Sequence, residues 1–277
     1  MSSPRIRTPR CWFTASRMAG GPAEPSAGNV RLCHLEPTDE SLFIARDFFG
    51  IKPMHYTQVG GHFLYASEIK SILKFPGFEK KFNYRTLDNY LSFQYAVPPE
   101  TFFEGVYCLL PGHYLWYRDG KVETTRYWEA RFNPDESLTE EQAVDEIEKV
   151  FEESVNAHKI SDVEVGCFLS SGVDSSYVST YFADQKTFTV GFDFGEKYNE
   201  ISWAERLSKK IGVEHHTHLI SSEEFWGNVE HVQYHMDQPL ADPSCIALYF
   251  VSNWPANTSR SCFPARARRA VRRLYDL

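Results

Sequence analysis

Val163-Glu-Val-Gly-Cys-Phe-Leu-Ser-Ser-Gly-Val-Asp-Ser-Ser176 decides the fold of this chain. Val163, Val165, Cys167, Phe168 and Leu169 read as a buried strand that runs into a sharp turn. Ser170 to Ser176 then opens a helix continuing through Tyr177, Val178 and Tyr181. A strand, a short hydroxyl-rich loop and a helix start together form an oxyanion cradle, because unpaired N–H groups and the helix dipole both favour negative charge there. Gly172 allows close approach of an anion to the backbone. Ser170, Ser175 and Ser176 can donate hydroxyl hydrogen bonds. Asp174 repels an anion but can hold a Mg²⁺ that bridges phosphates. A plain N-capped helix after a strand uses the same Ser and Asp residues, so the residue types alone leave both readings open. The lack of a Lys and the wrong spacing exclude a Walker A loop.

Outward from this stretch the pattern alternates. Upstream, Asn133 to Leu138 is a polar boundary, and Thr139 with Gln142 fits a capping box. Ala143, Ile147, Val150, Phe151 and Val155 recur at helical spacing, which predicts a helix with one face packed inward. Downstream, Thr187 to Phe192 reads as a second parallel strand, Tyr198 to Leu207 as a crossover helix and Glu214 to Leu219 as a third strand. His215, His216 and His218 invite a metal reading, beside the alternative that a short edge strand carries polar residues. Asp237 and Asp242, in Met236-Asp-Gln-Pro-Leu-Ala-Asp-Pro-Ser-Cys-Ile-Ala247, are candidate site residues or helix caps.

The first third has a different rhythm. Leu42 to Asp47 is a strand, the chain turns at Gly50 and Pro53, and His62 to Ser67 is a second strand leading into a helix at Glu68 to Leu73. Arg46, Asp47 and Lys52, taken alone, read as a surface ion cluster. Leu87 to Tyr95 is a short helix, and Asp119-Gly120 turns a hairpin that ends at Arg126-Tyr-Trp128.

The totals narrow the classes. A chain of 277 residues with 42% hydrophobic and 24% charged residues is globular, with one or two domains. Its net charge of −8 argues against a nucleic-acid surface, and no apolar run approaches a membrane span. With no apolar leader at the N-terminus and six scattered cysteines without a C-x-x-C pair, a reduced, cytoplasmic home is expected. No feature points to a particular oligomeric state. Every lysine lies between Lys52 and Lys210, whereas most arginines lie in 1–40 or 253–277. Those ends, rich in Arg, Pro, Ser and Ala, lack an apolar period.

The Ser170 to Ser176 loop resembles the Ser-Gly-Gly-x-Asp-Ser loop of the ATP pyrophosphatases, with Ser171 in place of the first Gly. Arg46-Asp47-x-x-Gly50-Ile-Lys-Pro53 followed by Tyr65-Ala-Ser-Glu-Ile-Lys70 resembles the second half of class II glutamine amidotransferase domains. With the bridge through Trp128 and the Asp237 to Ser244 segment, the order across 41–252 resembles that of glutamine-hydrolysing asparagine synthetases. The fold this implies is α/β: a partial N-terminal-nucleophile αββα sandwich, then an incomplete Rossmann-like parallel-sheet ATP-pyrophosphatase domain. The divisions implied are an aberrant segment 1–40, the amidotransferase half and bridge at 41–132, the first part of the synthetase domain at 133–252, and an aberrant Arg-rich tail at 253–277.

The resemblance also implies chemistry. Aspartate attacks ATP to give β-aspartyl-AMP and pyrophosphate, and ammonia from glutamine displaces AMP. ATP and Mg²⁺ are the implied cofactors, and aspartate, glutamine and ATP the small-molecule partners, with no nucleic acid and no membrane. Pyrophosphate contacts fall on Ser170, Ser171, Gly172, Asp174, Ser175 and Ser176, with Asp174 toward Mg²⁺. Phe168 and Leu169 line the nucleotide pocket, and the Val190-Gly191 backbone meets adenine. Two family features are missing: the N-terminal Cys nucleophile, where this chain reads Met1-Ser2-Ser3, and the Ser-Gly-Glu-Gly-Ala-Asp-Glu loop, where it reads from Asn253 to Cys262. No catalytic residue is therefore expected to be retained. A non-catalytic ATP-binding remnant and a related ligase such as a β-lactam synthetase are the other readings. Both ends are compatible with out-of-frame reading of a family gene and are expected not to pack, leaving strand neighbours unpaired.

Overall fold

The computed structural model describes residues 31–36, 41–159, 165–182, 185–195 and 199–258, without the side chains of 31, 32 and 254–258. The first half contains β1 (Arg31–Glu36), β2 (Ser41–Arg46), β3 (His55–Val59), β4 (His62–Ala66), α1 (Ile69–Ile72), α2 (Tyr84–Phe93), β5 (Tyr107–Cys108), β6 (His113–Arg118) and β7 (Lys121–Arg126). The second contains α3 (Glu140–His158), β8 (Cys167–Phe168), α4 (Val173–Thr180), β9 (Lys186–Phe192), α5 (Ile201–Ile211), β10 (Glu214–Ile220), α6 (Ser222–Met236) and α7 (Ser244–Thr258). The architecture is mixed α/β.

In the first half two antiparallel sheets, ordered β1-β2-β6-β7 and β4-β3-β5, share one core. Leu42 and Ile44 of β2 and Leu115 of β6 meet Met54 and Leu109, with Tyr56 and Phe63 closing from the other sheet. Phe63 stacks on Tyr117 at 4.5 Å between ring centroids. Alternation along β4 sends Leu64 and Ala66 the other way, onto Ile69 and Ile72 of α1 and onto Val106. Asp119 and Gly120, both at positive φ, turn the β6–β7 hairpin with Arg118 opposite Lys121, as the two-residue turn requires.

Arg46 and Asp47 correct the surface-cluster expectation. Arg46 and Asp47 are buried. The Arg46 guanidinium donates to the carbonyls of Lys52 at 3.0 Å and Leu109 at 2.5 Å, and also to that of Gly50. The Asp47 carboxylate accepts from the N–H groups of Ile51 at 2.8 Å and Lys52 at 3.0 Å. Both charges are spent on backbone that the turn would otherwise leave unpaired.

The expectation that 1–40 packs no element is corrected at Arg31–Glu36, which pairs antiparallel with β2 from Arg31↔Arg46 to Glu36↔Ser41. An exposed strand edge offers ladder hydrogen bonds to any extended backbone, whatever its side chains. The remainder of 1–40 and residues 259–277 lie outside the described residues. Helix α7 also runs to Thr258, past the expected limit at 252.

In the second half three parallel strands lie in the order β10-β9-β8. The Thr139/Gln142 capping box that starts α3 is present in both directions. Its inward face is shorter than the spacing predicts. Phe151 and Val155 join Val165, Cys167 and Phe182 in the core, whereas Ile147 and Val150 are 63% and 59% exposed. Helices α6 and α7 form a separate core from Val232, Cys245 and Ile246.

Candidate functional site

The sequence-predicted loop lies at the carboxyl end of β8, where the Leu169 N–H reaches the Phe188 carbonyl at 2.9 Å. The Thr189 hydroxyl of β9 donates to the Leu169 carbonyl and ties down the end of the strand. Val163 lies outside the described residues; the described strand is the two-residue β8. Gly172 is the N-cap of α4 at φ −73° and ψ 153°. That conformation is open to any residue, and a Cβ there would meet only the Ser170 and Ser175 hydroxyls, at 3.4 and 3.9 Å. Turn geometry therefore does not require a glycine at this position.

The hydroxyls organise the loop itself. Ser170 Oγ and Ser175 Oγ are 2.7 Å apart, Ser175 Oγ accepts from the Ser170 N–H at 3.2 Å, and Ser170 Oγ accepts from the Gly172 N–H at 3.2 Å. Ser176 Oγ donates to the Gly172 carbonyl at 2.6 Å. Asp174 is exposed in the first turn of α4. Its hard carboxylate oxygens suit Mg²⁺, which is held by one or two carboxylates plus substrate phosphates. Glu200, which the sequence reading missed, places Oε2 3.1 Å from the Ser171 N–H. A carboxylate on that N–H marks it as a donor directed at negative charge.

Val190 and Gly191 sit on β9 beside the loop's strand, and Phe168 and Leu169 end β8. A Cβ on Gly191 would lie 2.5 Å from Asn199 Oδ1 and 3.0 Å from Ile201 Cδ1. A larger residue there would have to displace the Asn199 and Ile201 side chains at the α5 start. Among the described residues no contact brings Asp242 or Asp237 to the loop. Asp242 accepts from the Ser244 N–H at 2.8 Å at the start of α7, and Asp237 faces the first half of the molecule.

The histidines of β10 are engaged singly. His215 Nδ1 lies 2.9 Å from the Thr187 hydroxyl, and burial lowers its pKa. His216 lies 2.9 Å from Glu214, and His218 lies 3.3 Å from Glu224. Among the described residues no group of three or more His, Cys, Asp or Glu is arranged to hold a metal ion. Burial raises the thiol pKa of Cys108 and Cys245 and pushes that of Cys167 up to about 12. None of these three is a ready thiolate nucleophile. Among the described residues no helix is long and apolar enough to cross a membrane.

The profile of the family described as Asparagine synthase matches residues 146–257, and that of the Glutamine amidotransferase domain matches 27–128. Over 219 residues the chain is 36% identical to "Asparagine synthetase (glutamine-hydrolyzing) 1" of Bacillus subtilis, a match covering 77% of this chain and 34% of that protein. These matches support a fragment of a glutamine-hydrolysing asparagine synthetase. It is also 29% identical over 231 residues to "Asparagine synthetase (glutamine-hydrolyzing) 3" of the same organism, covering 76% of this chain and 37% of that protein. It is 34% identical over 224 residues to "Amidase chyE" of Penicillium rubens, covering 73% and 33%. The chain spans about a third of the length of these asparagine synthetases. The family matches are wider than 41–252 at both ends.

Proposed function

We propose that this chain supplies the ATP-handling loop and part of the amidotransferase half of an asparagine synthetase (glutamine-hydrolysing). The reaction is an AMP-forming carbon–nitrogen ligation. The aspartate side-chain carboxylate attacks the α-phosphorus of ATP, pyrophosphate leaves, and ammonia from glutamine then attacks the acyl carbon and expels AMP. The first half is read as part of an N-terminal-nucleophile sandwich, because its two antiparallel sheets share a core and α1 covers one of them. The second is read as a Rossmann-like domain, because its parallel strands run β10-β9-β8 with a hydroxyl-rich loop at a carboxyl strand end.

The observation that carries the reading is the Ser170–Gly172 loop leading into α4. The loop's hydrogen bonds hold Ser170, Gly172 and Ser175 in one conformation before any ligand arrives. The first-turn N–H groups of α4 have no partner within the helix and favour an anion. Ser171 and Ser176 complete the polar rim, and Asp174 would hold Mg²⁺ against the phosphates. Mg²⁺ would neutralise the charge of the departing pyrophosphate. The end of β8 at Phe168 and Leu169, with Val190 and Gly191 beside it, forms the wall against which the nucleoside is read. The function assigned to these residues is binding of ATP or pyrophosphate.

Isothermal titration of the 277-residue chain with magnesium pyrophosphate tests this. Asp174→Ala is expected to weaken binding by about tenfold or more without changing the thermal midpoint, because Asp174 is exposed. Equal affinity in the two proteins would count against the assignment.

A further inference from the structure

We propose that the turn Asp237–Gln238, after α6, is the joint that fixes the synthetase half against the amidotransferase half. Nothing in the nucleotide-binding reading enters this inference; it rests on contacts that neither family match assigns.

The first observation is a helix without a cap of its own. Glu68, the N-cap of α1, makes no side-chain cap hydrogen bond. The free N–H groups of the helix are met from the other half of the molecule. Asp237 Oδ2 accepts from the Ile69 N–H at 2.8 Å, and Oδ1 accepts from the Lys70 N–H at 3.3 Å. The Lys70 ammonium closes on the same carboxylate at 2.7 Å, with side chains only 15% and 9% exposed. Burial disfavours that ammonium, but its hydrogen bonds to Asp237 and Glu68 outweigh burial and raise the Lys70 pKa. Tyr234, one turn earlier on α6, presents its ring 5.5 Å from the same ammonium.

The second observation is the backbone. Asp237 sits at φ +65° and ψ −29° as the C-cap of α6, a conformation that L side chains rarely adopt and where glycine is the usual choice. An aspartate held there needs a compensating contact, and among the described residues the contacts of its carboxylate cross to α1. Two further bonds cross in the same place. The Phe102 N–H donates to Gln238 Oε1 at 3.0 Å, and the Ala241 N–H donates to the Gln94 carbonyl at 3.2 Å.

Both ends of the joint reach a core. Ile69 and Ile72 of α1 pack with Val106, and Phe102 is buried. On the other side the turn leads to α7, whose Phe250 stacks on His218 of β10 at 5.7 Å. The joint thus links the core of the first half to the parallel sheet of the second.

Hydrogen exchange on the full chain separates a joint from a local helix cap. Asp237→Gly relaxes the backbone and removes the carboxylate. A cap local to α1 predicts faster exchange at the Ile69 and Lys70 amides alone, with Phe102 unchanged. The joint predicts exchange faster by about tenfold or more at the Ile69 and Lys70 amides, the loss expected for charge-assisted hydrogen bonds, and faster exchange at Phe102 as the two halves part. Asp237→Asn keeps an acceptor oxygen and should restore part of the protection at Ile69. If Asp237→Gly does not fold, Lys70→Gln, which keeps the cap and removes the ion pair, gives the reading: faster exchange at Phe102 supports the joint. Unchanged exchange at Phe102 in the folded variants overturns it.

Discussion

Two loops of this molecule follow a strand and carry the residues by which its family is recognised, yet they spend those residues differently. In the loop from Arg46 to Lys52 the charged side chains are buried and bonded to backbone: Arg46 to three carbonyls and Asp47 to two N–H groups. In the loop from Ser170 to Ser176 the polar groups bond mainly to one another, and Gly172, Val173 and Asp174 remain exposed. A motif that satisfies its own turn is architecture. A motif that is rigid but leaves a helix start facing solvent is available for chemistry.

Removal of side chains should break the two loops to different degrees. The largest effect is expected for Arg46→Met. It strands the carbonyls of Lys52, Gly50 and Leu109 in a buried turn and should cost about 3–6 kcal/mol, read by urea unfolding. A loss below about 1 kcal/mol would mean that water replaces the guanidinium. In the other half, Val155→Ala should cost about 2–3 kcal/mol, because Val155 lies in the core under the loop. Ile147→Ala on the same helix should change stability by no more than about 0.5 kcal/mol, because its side chain is exposed. Equal losses at the two positions would show that the apolar face of α3 is covered in solution.

A smaller effect comes from the cysteine at the root of the second loop. Burial pushes the Cys167 thiol from 9.0 up to about 12. Below pH 9 the thiol is protonated in both folded and unfolded chains, and its contribution is fully present. Between pH 9 and about 12 the unfolded chain releases a proton that the folded chain keeps, so stability falls by up to about 1.4 kcal/mol per pH unit. Cys167→Ala should flatten that alkaline slope by about one proton. An unchanged slope would place the titration elsewhere. Cys108, at the root of the first loop, is raised mainly by burial and is partly offset by the Arg46 charge beside it.

Much of this was legible where the signal is local. The Asp119-Gly120 turn, the Thr139/Gln142 box and the strands around 42–46, 186–192 and 214–220 follow from turn chemistry and alternation. Helix α2 begins earlier than its apolar spacing indicates, because Asn83 caps it by accepting from the Arg85 N–H at 3.2 Å. The Ser221/Glu224 capping box at the start of α6 was readable by the same rule that found Thr139. What could not be read depends on distant partners. The spacing of Ile147 and Val150 predicts a buried face, but periodicity does not say which turns of a helix reach the core. Arg46 looks like a surface ion only until Leu109, far along the chain, supplies its carbonyl. Asp237 resembles a site residue until Ile69, on the opposite half, is found against it.

Hydrogen exchange with and without magnesium pyrophosphate tests the division between the two loops most directly. Saturating ligand should slow exchange across 169–177, where the helix start would take up the anion, and leave 46–52 unchanged because its amides already have internal partners. Slowed exchange at 46–52, or none at 169–177 under saturating ligand, would contradict it.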